Sequence, residues 1–361
     1  MKKILILSDT PIVRGAELVL LDYLNKTKNR EFICISMNRN PMLDDFLKQT
    51  NVRHVYRNRY QLKCTGLFKI FKPILLFLAV IKITRIIRAE KINTVIANTS
   101  MDSIYGLVLK LIYPKLKFIA MFHDMITLRR LNKLFFYLLN FCADSYVVVS
   151  GAVKNRLLQL GASLEKIKLI YNGLEIQEIE PKKKYLNLRL IFVGSIEDRK
   201  NPLEFLSFIK EIDRNNINYQ ATIVYNDADN DLFNEFKIQA KGYNVEYFYN
   251  ASRKVIFNKM REATFLVLTS IADPLPTVIL ESQNVGTPCI AKNIDGVPEM
   301  ITDGVNGFLY DEKFQLLNLV ESLKTLTNNS YEELSKNSIN NIKNNFSIDN
   351  KVKSLDVLFF N

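Results

Sequence analysis

Cysteine and histidine are scarce in this chain, and long apolar runs are missing. The four cysteines, Cys34, Cys64, Cys142 and Cys289, lie far apart with no metal-ligand spacing, and three fall in apolar segments. This excludes a disulfide framework or a thiolate zinc site and leads us to expect a reducing, cytosolic compartment. There are two histidines in 361 residues. The apolar run Pro73–Ile81 is far shorter than the ~20 residues of a membrane-spanning helix. Met1–Leu7 is basic and then apolar, but Ser8-Asp9 ends the run too early for a cleavable signal, so it reads as a first buried strand. Zinc-finger, RNA-recognition and helix-turn-helix signatures are lacking, which argues against a nucleic-acid reader.

What is present describes a globular α/β protein. Hydrophobic residues make up 48% of the chain and mean hydropathy is +0.00. The length fits two domains of about 150–200 residues. Strand-length apolar runs (Ile4–Leu7, Phe32–Ser36, Thr94–Ala97, Phe118–Met121, Tyr146–Val149, Ile167–Ile170) alternate with helix-length segments, which implies a mostly parallel sheet with crossover helices. The charged segment 175–187 reads as a linker between a first domain, 1–174, and a second, 188–345. In the second domain the alternation restarts at Leu188–Val193 and continues through Ala221–Tyr225, Val245–Phe248, Phe265–Leu268 and Pro288–Ala291. Two doubly wound sheets facing a cleft follow. Asn328–Asn345 reads as an exposed helix.

Charge is lopsided. Residues 1–180 carry a net +14 and the remainder −2, so the formal +12 belongs to the first half. Arg53, Arg57, Arg59, Lys63, Lys69, Lys72, Lys82, Arg85 and Arg88 surround the apolar run at Pro73–Ile81. Arg129-Arg130-Leu131-Asn132-Lys133-Leu134-Phe135-Phe136-Tyr137 repeats the mixture. Such helices either pack on the sheet with solvated basic edges or lie on an anionic membrane surface.

The densest signal runs from Ser270 to Asp311. Asp273 precedes a Pro-punctuated loop, and Glu281 stands eight positions later on an apolar helix predicted over Thr277–Val285. The first-turn amides of that helix suit a phosphate. Gly286-Thr287-Pro288 then turns into a strand, and Asp295-Gly296-Val297-Pro298-Glu299 forms another loop. Upstream, Gly194-Ser195 ends a strand and Arg199-Lys200 precedes a helix near Pro202, where a doubly wound sheet places its ligand. In the first domain, Arg14-Gly15 opens a helix, Asn98-Thr99 ends a strand, and His123 ends another.

This order of elements resembles the retaining glycosyltransferases of family 4, or group 1, over nearly the whole chain. The resemblance is densest from Asp144 to Gly173 and from Arg261 to Tyr310. It implies a GT-B fold, α/β with two Rossmann-like doubly wound domains, and a C-terminal segment, 346–361, crossing back to the first domain. It also implies transfer of a hexosyl or N-acetylhexosaminyl group from a UDP- or GDP-sugar to a carbohydrate acceptor, lipid-linked, in bacterial surface polysaccharide assembly at the inner face of the plasma membrane.

By position, Asp273 and His123 would orient the sugar and Glu281 the ribose. Ser195, Arg199, Lys200, Gly15 and the segment Leu275, Pro276, Thr277, Val278 would serve the donor, and Arg14, Asn98 and Thr99 the acceptor. Two departures stand out: Asp273 replaces the usual Glu, and Ser195 the usual Arg. No cofactor or metal is expected, since Asp227-Ala228-Asp229 lies in a polar loop rather than at a strand end. A non-catalytic partner subunit and a sugar-nucleotide epimerase on a related fold remain open.

Overall fold

Strands whose side chains are apolar on both faces pair in parallel and need crossover helices to cover them. The runs Ile4–Leu7, Phe32–Ile35 and Val95–Ala97 are buried in that way. The structure, a computed structural model, describes residues 3–8, 15–27, 31–36, 52–57, 72–183 and 187–360. Arg14, Arg59, Lys63, Cys64 and Lys69 lie outside the described residues, and for Arg53, Arg57 and Lys72 only the backbone is described.

The chain divides into two compact units, residues 1–173 with 348–361, and 174–347. The first contains β1 (Lys3–Ser8), α1 (Gly15–Lys26), β2 (Glu31–Ser36), β3 (Val52–Arg57), α2 (Lys72–Glu90), β4 (Thr94–Ala97), α3 (Asp102–Ile112), β5 (Lys117–Phe122), α4 (Arg130–Cys142), β6 (Ser145–Val148), α5 (Gly151–Gln159) and β7 (Ile167–Leu169). The sheet is parallel, in the order β3-β2-β1-β4-β5-β6-β7. Strand order therefore reverses between β1 and β4, which opens a crevice beyond their carboxyl ends. β3 was not among the predicted strands, because Arg53, His54 and Arg57 break its apolar pattern. At Gly106 of α3 a Cβ would lie 2.0 Å from the Phe118 ring, so glycine sets how closely this helix approaches β5.

The second unit contains β8 (Leu188–Val193), α6 (Pro202–Arg214), β9 (Tyr219–Tyr225), α7 (Asn230–Gln239), β10 (Val245–Tyr249), α8 (Arg253–Glu262), β11 (Phe265–Leu268), α9 (Thr277–Asn284), β12 (Cys289–Lys292), β13 (Gly307–Tyr310), α10 (Lys313–Thr325) and α11 (Asn328–Asn345). Its parallel sheet runs β10-β9-β8-β11-β12-β13, reversing between β8 and β11. The edge strand β13 was also missed in the sequence.

Two expectations need correction. α11 is a helix, but it is not exposed throughout: Tyr331, Leu334, Ser335, Ser338, Ile339 and Ile342 form a buried face at helical spacing. The hydroxyls survive burial because each has an acceptor: Tyr331 donates to Thr264 O, Ser335 to Gly286 O and Ser338 to Asn306 O. The stretch read as a linker is likewise bound into the second unit. Asn284 donates to Glu175 O and accepts from the Gln177 amide. Lys182 is anchored through its ammonium to Met260 O, Ala263 O and Thr287 Oγ1, and burial pushes that ammonium down to about 7.

The last helix, α12 (Ile348–Phe360), belongs to the first unit. Leu355 and Phe359 join Ile4, Tyr23 and Phe32 in its core. Tyr23 donates to Asp356 at 2.7 Å, Lys117 to Leu358 O at 2.7 Å, and buried Lys351 to Val19 O at 2.9 Å.

Candidate functional site

In the second unit the ends of β8 and β11 are sewn together. After β8 the chain turns through Gly194-Ser195, coils over Asp198–Lys200, and passes Asn201 in the left-handed region (φ 49°) before Pro202 opens α6. Thr269 Oγ1, just past β11, lies 3.0 and 2.9 Å from the carbonyl oxygens of Lys200 and Asn201. The Ile271 amide donates to Arg199 O at 2.8 Å. These bonds bring Lys200 Nζ to 2.6 Å from Asp273 Oδ2. Asp273 is 8% exposed, and its own amide donates to Asp295 Oδ2 at 2.9 Å. A buried carboxylate needs such partners, and an ammonium on its stem across Gly194 supplies the strongest.

Arg199 lies beside Lys200 but further out. Its Nη2 is 2.7 Å from Glu197 Oε1, its Nη1 stands 3.9 Å from Asp273 Oδ2, and it is a rim cation. Ser195 stands at the turn after β8, beside the Glu197 carboxylate. Of the two expected cations, Lys200 alone is seated in the crevice.

Beyond Asp273, α9 begins at Pro276 with no side chain capping it. The Ile279 amide reaches Pro276 O, while Thr277 and Val278 supply first-turn amides that have no partner within the helix. Leu275, Pro276 and Val278 are buried and Thr277 half-buried. Glu281 follows about one turn along α9, and Arg253 Nη2, at the start of α8, lies 3.6 Å from its Oε1. Ser270, fully buried between the two sewn loops, has a hydroxyl with no partner among the described residues.

The first unit assembles a separate group at the reversal of its own sheet. Gly15 starts α1. Asn98 follows β4; its amide donates to Leu7 O, and its fully buried side chain finds no partner for either end among the described residues. Thr99 serves its own helix: Oγ1 donates to Asp102 Oδ2 at 2.7 Å and accepts from the Asp102 amide at 3.3 Å, so this hydroxyl is committed to the start of α3. His123 follows β5 with Nε2 shielded and unpartnered among the described residues. Burial and then the Lys351 ammonium push its imidazole down to about 3, so it is neutral at physiological pH.

Sequence reasoning missed Thr269, Asp295 and Arg253. Asp295 was legible only as part of a turn, and the other two carry no local signal. Among the described residues no three His, Cys, Asp or Glu side chains converge as a metal site would require.

Comparison with known proteins gives the family and the fold. The family model "Glycosyl transferases group 1" matches residues 175–345, and "Glycosyltransferase Family 4" matches residues 14–178. An Escherichia coli UDP-Gal:alpha-D-GlcNAc-diphosphoundecaprenol alpha-1,3-galactosyltransferase is 28% identical over 215 residues, 54% of each chain. A Campylobacter jejuni alpha-1,4-N-acetyl-D-galactosaminyltransferase, named for a PP-undecaprenol-linked glycan, is 26% identical over 165 residues, 43% of this chain and 45% of its own. The chain thus spans about half the length of the curated relatives it matches. Anabaena HepE, solved with UDP and glucose, superposes with a TM-score of 0.81 at 20% identity over 99% of both chains, which gives the fold as GT-B. With the two family models together accounting for residues 14 to 345, the chain belongs to the group 1 glycosyltransferases.

Proposed function

We propose that this protein transfers a sugar, with retention of configuration, from a nucleoside diphosphate sugar to a hydroxyl of a lipid-linked carbohydrate in bacterial surface polysaccharide assembly. The observation that carries the reading is the Lys200–Asp273 pair beside the uncapped start of α9. As the anomeric C–O bond breaks, negative charge grows on the diphosphate. A fixed ammonium and helix-end amides stabilise that charge without rearranging. Pro276 has no N–H, so the amides are those of Leu275, Thr277 and Val278.

Asp273, held by Lys200 and Asp295, offers acceptor oxygens to sugar hydroxyls. Glu281 is assigned to the ribose, with Arg253 fixing its carboxylate. His123 is assigned a neutral contact to the sugar, and Asn98 a contact to the acceptor. No metal enters this scheme, and transfer should survive chelation. The lipid-linked acceptor is supported by the names of the Escherichia coli and Campylobacter relatives.

A thermal-shift screen over UDP-, GDP-, CMP- and ADP-sugars tests the donor, since a ligand at 100 times its Kd stabilises the folded state by about 2.7 kcal/mol. One nucleotide class should raise Tm; if none does, the donor reading fails. Product NMR reads the anomeric configuration, and inversion would remove the retaining claim.

The reading places the protein at the inner face of the plasma membrane, on anionic lipid. No helix among the described residues is long and apolar enough to cross a membrane. α4 buries Phe136, Leu139 and Cys142 yet exposes Leu131, Leu134, Tyr137, Leu138 and Phe141 next to Arg129, Arg130 and Lys133. On α2, Arg85 and Arg88 are exposed. Apolar side chains within a basic field suit a headgroup interface. Arg85→Glu with Arg88→Glu should release the protein from anionic vesicles in sedimentation; unchanged sedimentation would remove the membrane assignment.

A further inference from the structure

Helices α2 and α3 leave a groove on the first unit that contains none of the residues assigned to the donor or the acceptor sugar. Leu76, Val80 and Ile81 line it from α2, Val108 and Ile112 from α3, and its volume is about 340 Å³. That is near the lower end of small-ligand pockets, roughly 300–1,000 Å³. We propose that this groove holds the hydrocarbon chain of an isoprenyl phosphate, the tail of the acceptor itself, with Arg88 at the phosphate end. The proposal deepens the lipid-linked acceptor reading and rests on it.

The polarity along α2 is ordered as an amphiphile would require. Ala79, Ile83, Ile86 and Ile87 bury one face against the sheet. Phe77, Ile81, Thr84 and Arg88 follow at spacings of four, three and four, which puts them in one stripe about 16 Å long. The stripe runs from apolar to cationic. Thr84 adds no polarity to it, because its hydroxyl donates back to Ile81 O at 2.7 Å and leaves the methyl for the groove.

At the far end, Arg88 Nε donates to Tyr113 Oη at 2.7 Å, and the guanidinium lies 5.8 Å from that ring. This orients the fork while using one of its five donors, and a guanidinium fork matches phosphate geometry. The pocket's lining contains no acid that would repel a phosphate. Phe77 at 64% and Ile112 at 47% exposure stand at the groove's lip, more apolar surface than water would favour. Charge complementarity and this ordering favour a lipid phosphate over a second protein copy, which would need no cation at one end alone.

The sequence has no tryptophan, so Ile112→Trp gives a single fluorophore in the groove. Titrated with farnesyl phosphate below its micelle concentration, it should show a saturable blue shift. Farnesol, with the same chain and no phosphate, and the added Arg88→Glu change should each weaken binding about tenfold or more. Thr84→Phe, which fills the groove, should abolish the response. Donor thermal shift is read on Ile112→Trp, whose groove is otherwise intact: a retained nucleotide-sugar response with no farnesyl phosphate response overturns the groove while leaving the transferase reading intact. The groove inference also falls if the shift persists in Thr84→Phe, if farnesol binds as well as its phosphate, or if the blue shift follows protein concentration in the absence of lipid.

Discussion

Lys200→Met is expected to lower kcat by roughly 10²–10³-fold, the size of effect seen when one preorganised stabiliser of developing charge is removed. Stability should fall as well. Lys200 Nζ lies 2.6 Å from Asp273 Oδ2, and both side chains are nearly buried. Removing one partner of such a pair leaves a desolvated charge, at a cost of about 3–5 kcal/mol. Arg199, 3.9 Å from the same oxygen but largely exposed, offsets a small part of that.

The two effects separate in the double variant. Lys200→Met with Asp273→Asn removes both charges and should recover most of the stability in denaturant melts, while transfer stays lost. If the single variant keeps its activity, Lys200 has no part in the chemistry. If the double variant regains activity along with stability, the pair is structural.

Gly307→Val is expected to destabilise the second unit by more than the ~1–3 kcal/mol of ordinary overpacking. β13 pairs with β12 through Cys289 and Gly307. A Cβ at Gly307 would meet Cys289 O at 2.4 Å and Cys289 N at 3.2 Å. Those are backbone atoms of a strand already hydrogen-bonded to β11, so neither side can yield without opening the sheet edge. The neighbouring Gly304 is the control. It has φ +71° and open space around it, so Gly304→Ala should cost only about 1 kcal/mol, through backbone strain. Chemical denaturation of both variants reads the difference, and equal losses would refute the steric account.

The sequence shows these features unevenly, for physical reasons. Central strands such as Leu188–Val193 and Phe265–Leu268 are covered on both faces and so print as unbroken apolar runs. The edge strands β3 and β13 print less clearly, one because Arg53, His54 and Arg57 interrupt it and the other because it is only four residues long and opens on Gly307, and neither was read. The spacing of Asp273 and Glu281 was legible because a loop and one short helix join them.

The ion pair of Asp273 with Lys200 spans 73 positions and depends on Thr269 and Ile271 holding two loops together, which no local pattern encodes. The charged segment that holds Lys182 reads as a linker, and α11 as an exposed helix, because polar residues are usually solvated. The burial of Lys182 and the α11 serines follows from carbonyls that only the folded chain brings near. Arg199 looked equivalent to Lys200 in sequence, but its guanidinium is held by Glu197 and the Ala272 carbonyl at the rim while Lys200 pairs with Asp273.

The central claim is that the diphosphate is held by Lys200 and the amides at the start of α9. Calorimetric titration of UDP and GDP, with their monophosphates, into the wild type and Lys200→Met tests it most directly. One diphosphate should bind the wild type, and its monophosphate and the Lys200→Met titration should each be weaker by about tenfold or more. Equal affinity for mono- and diphosphate, or a diphosphate affinity unchanged in Lys200→Met, would contradict it.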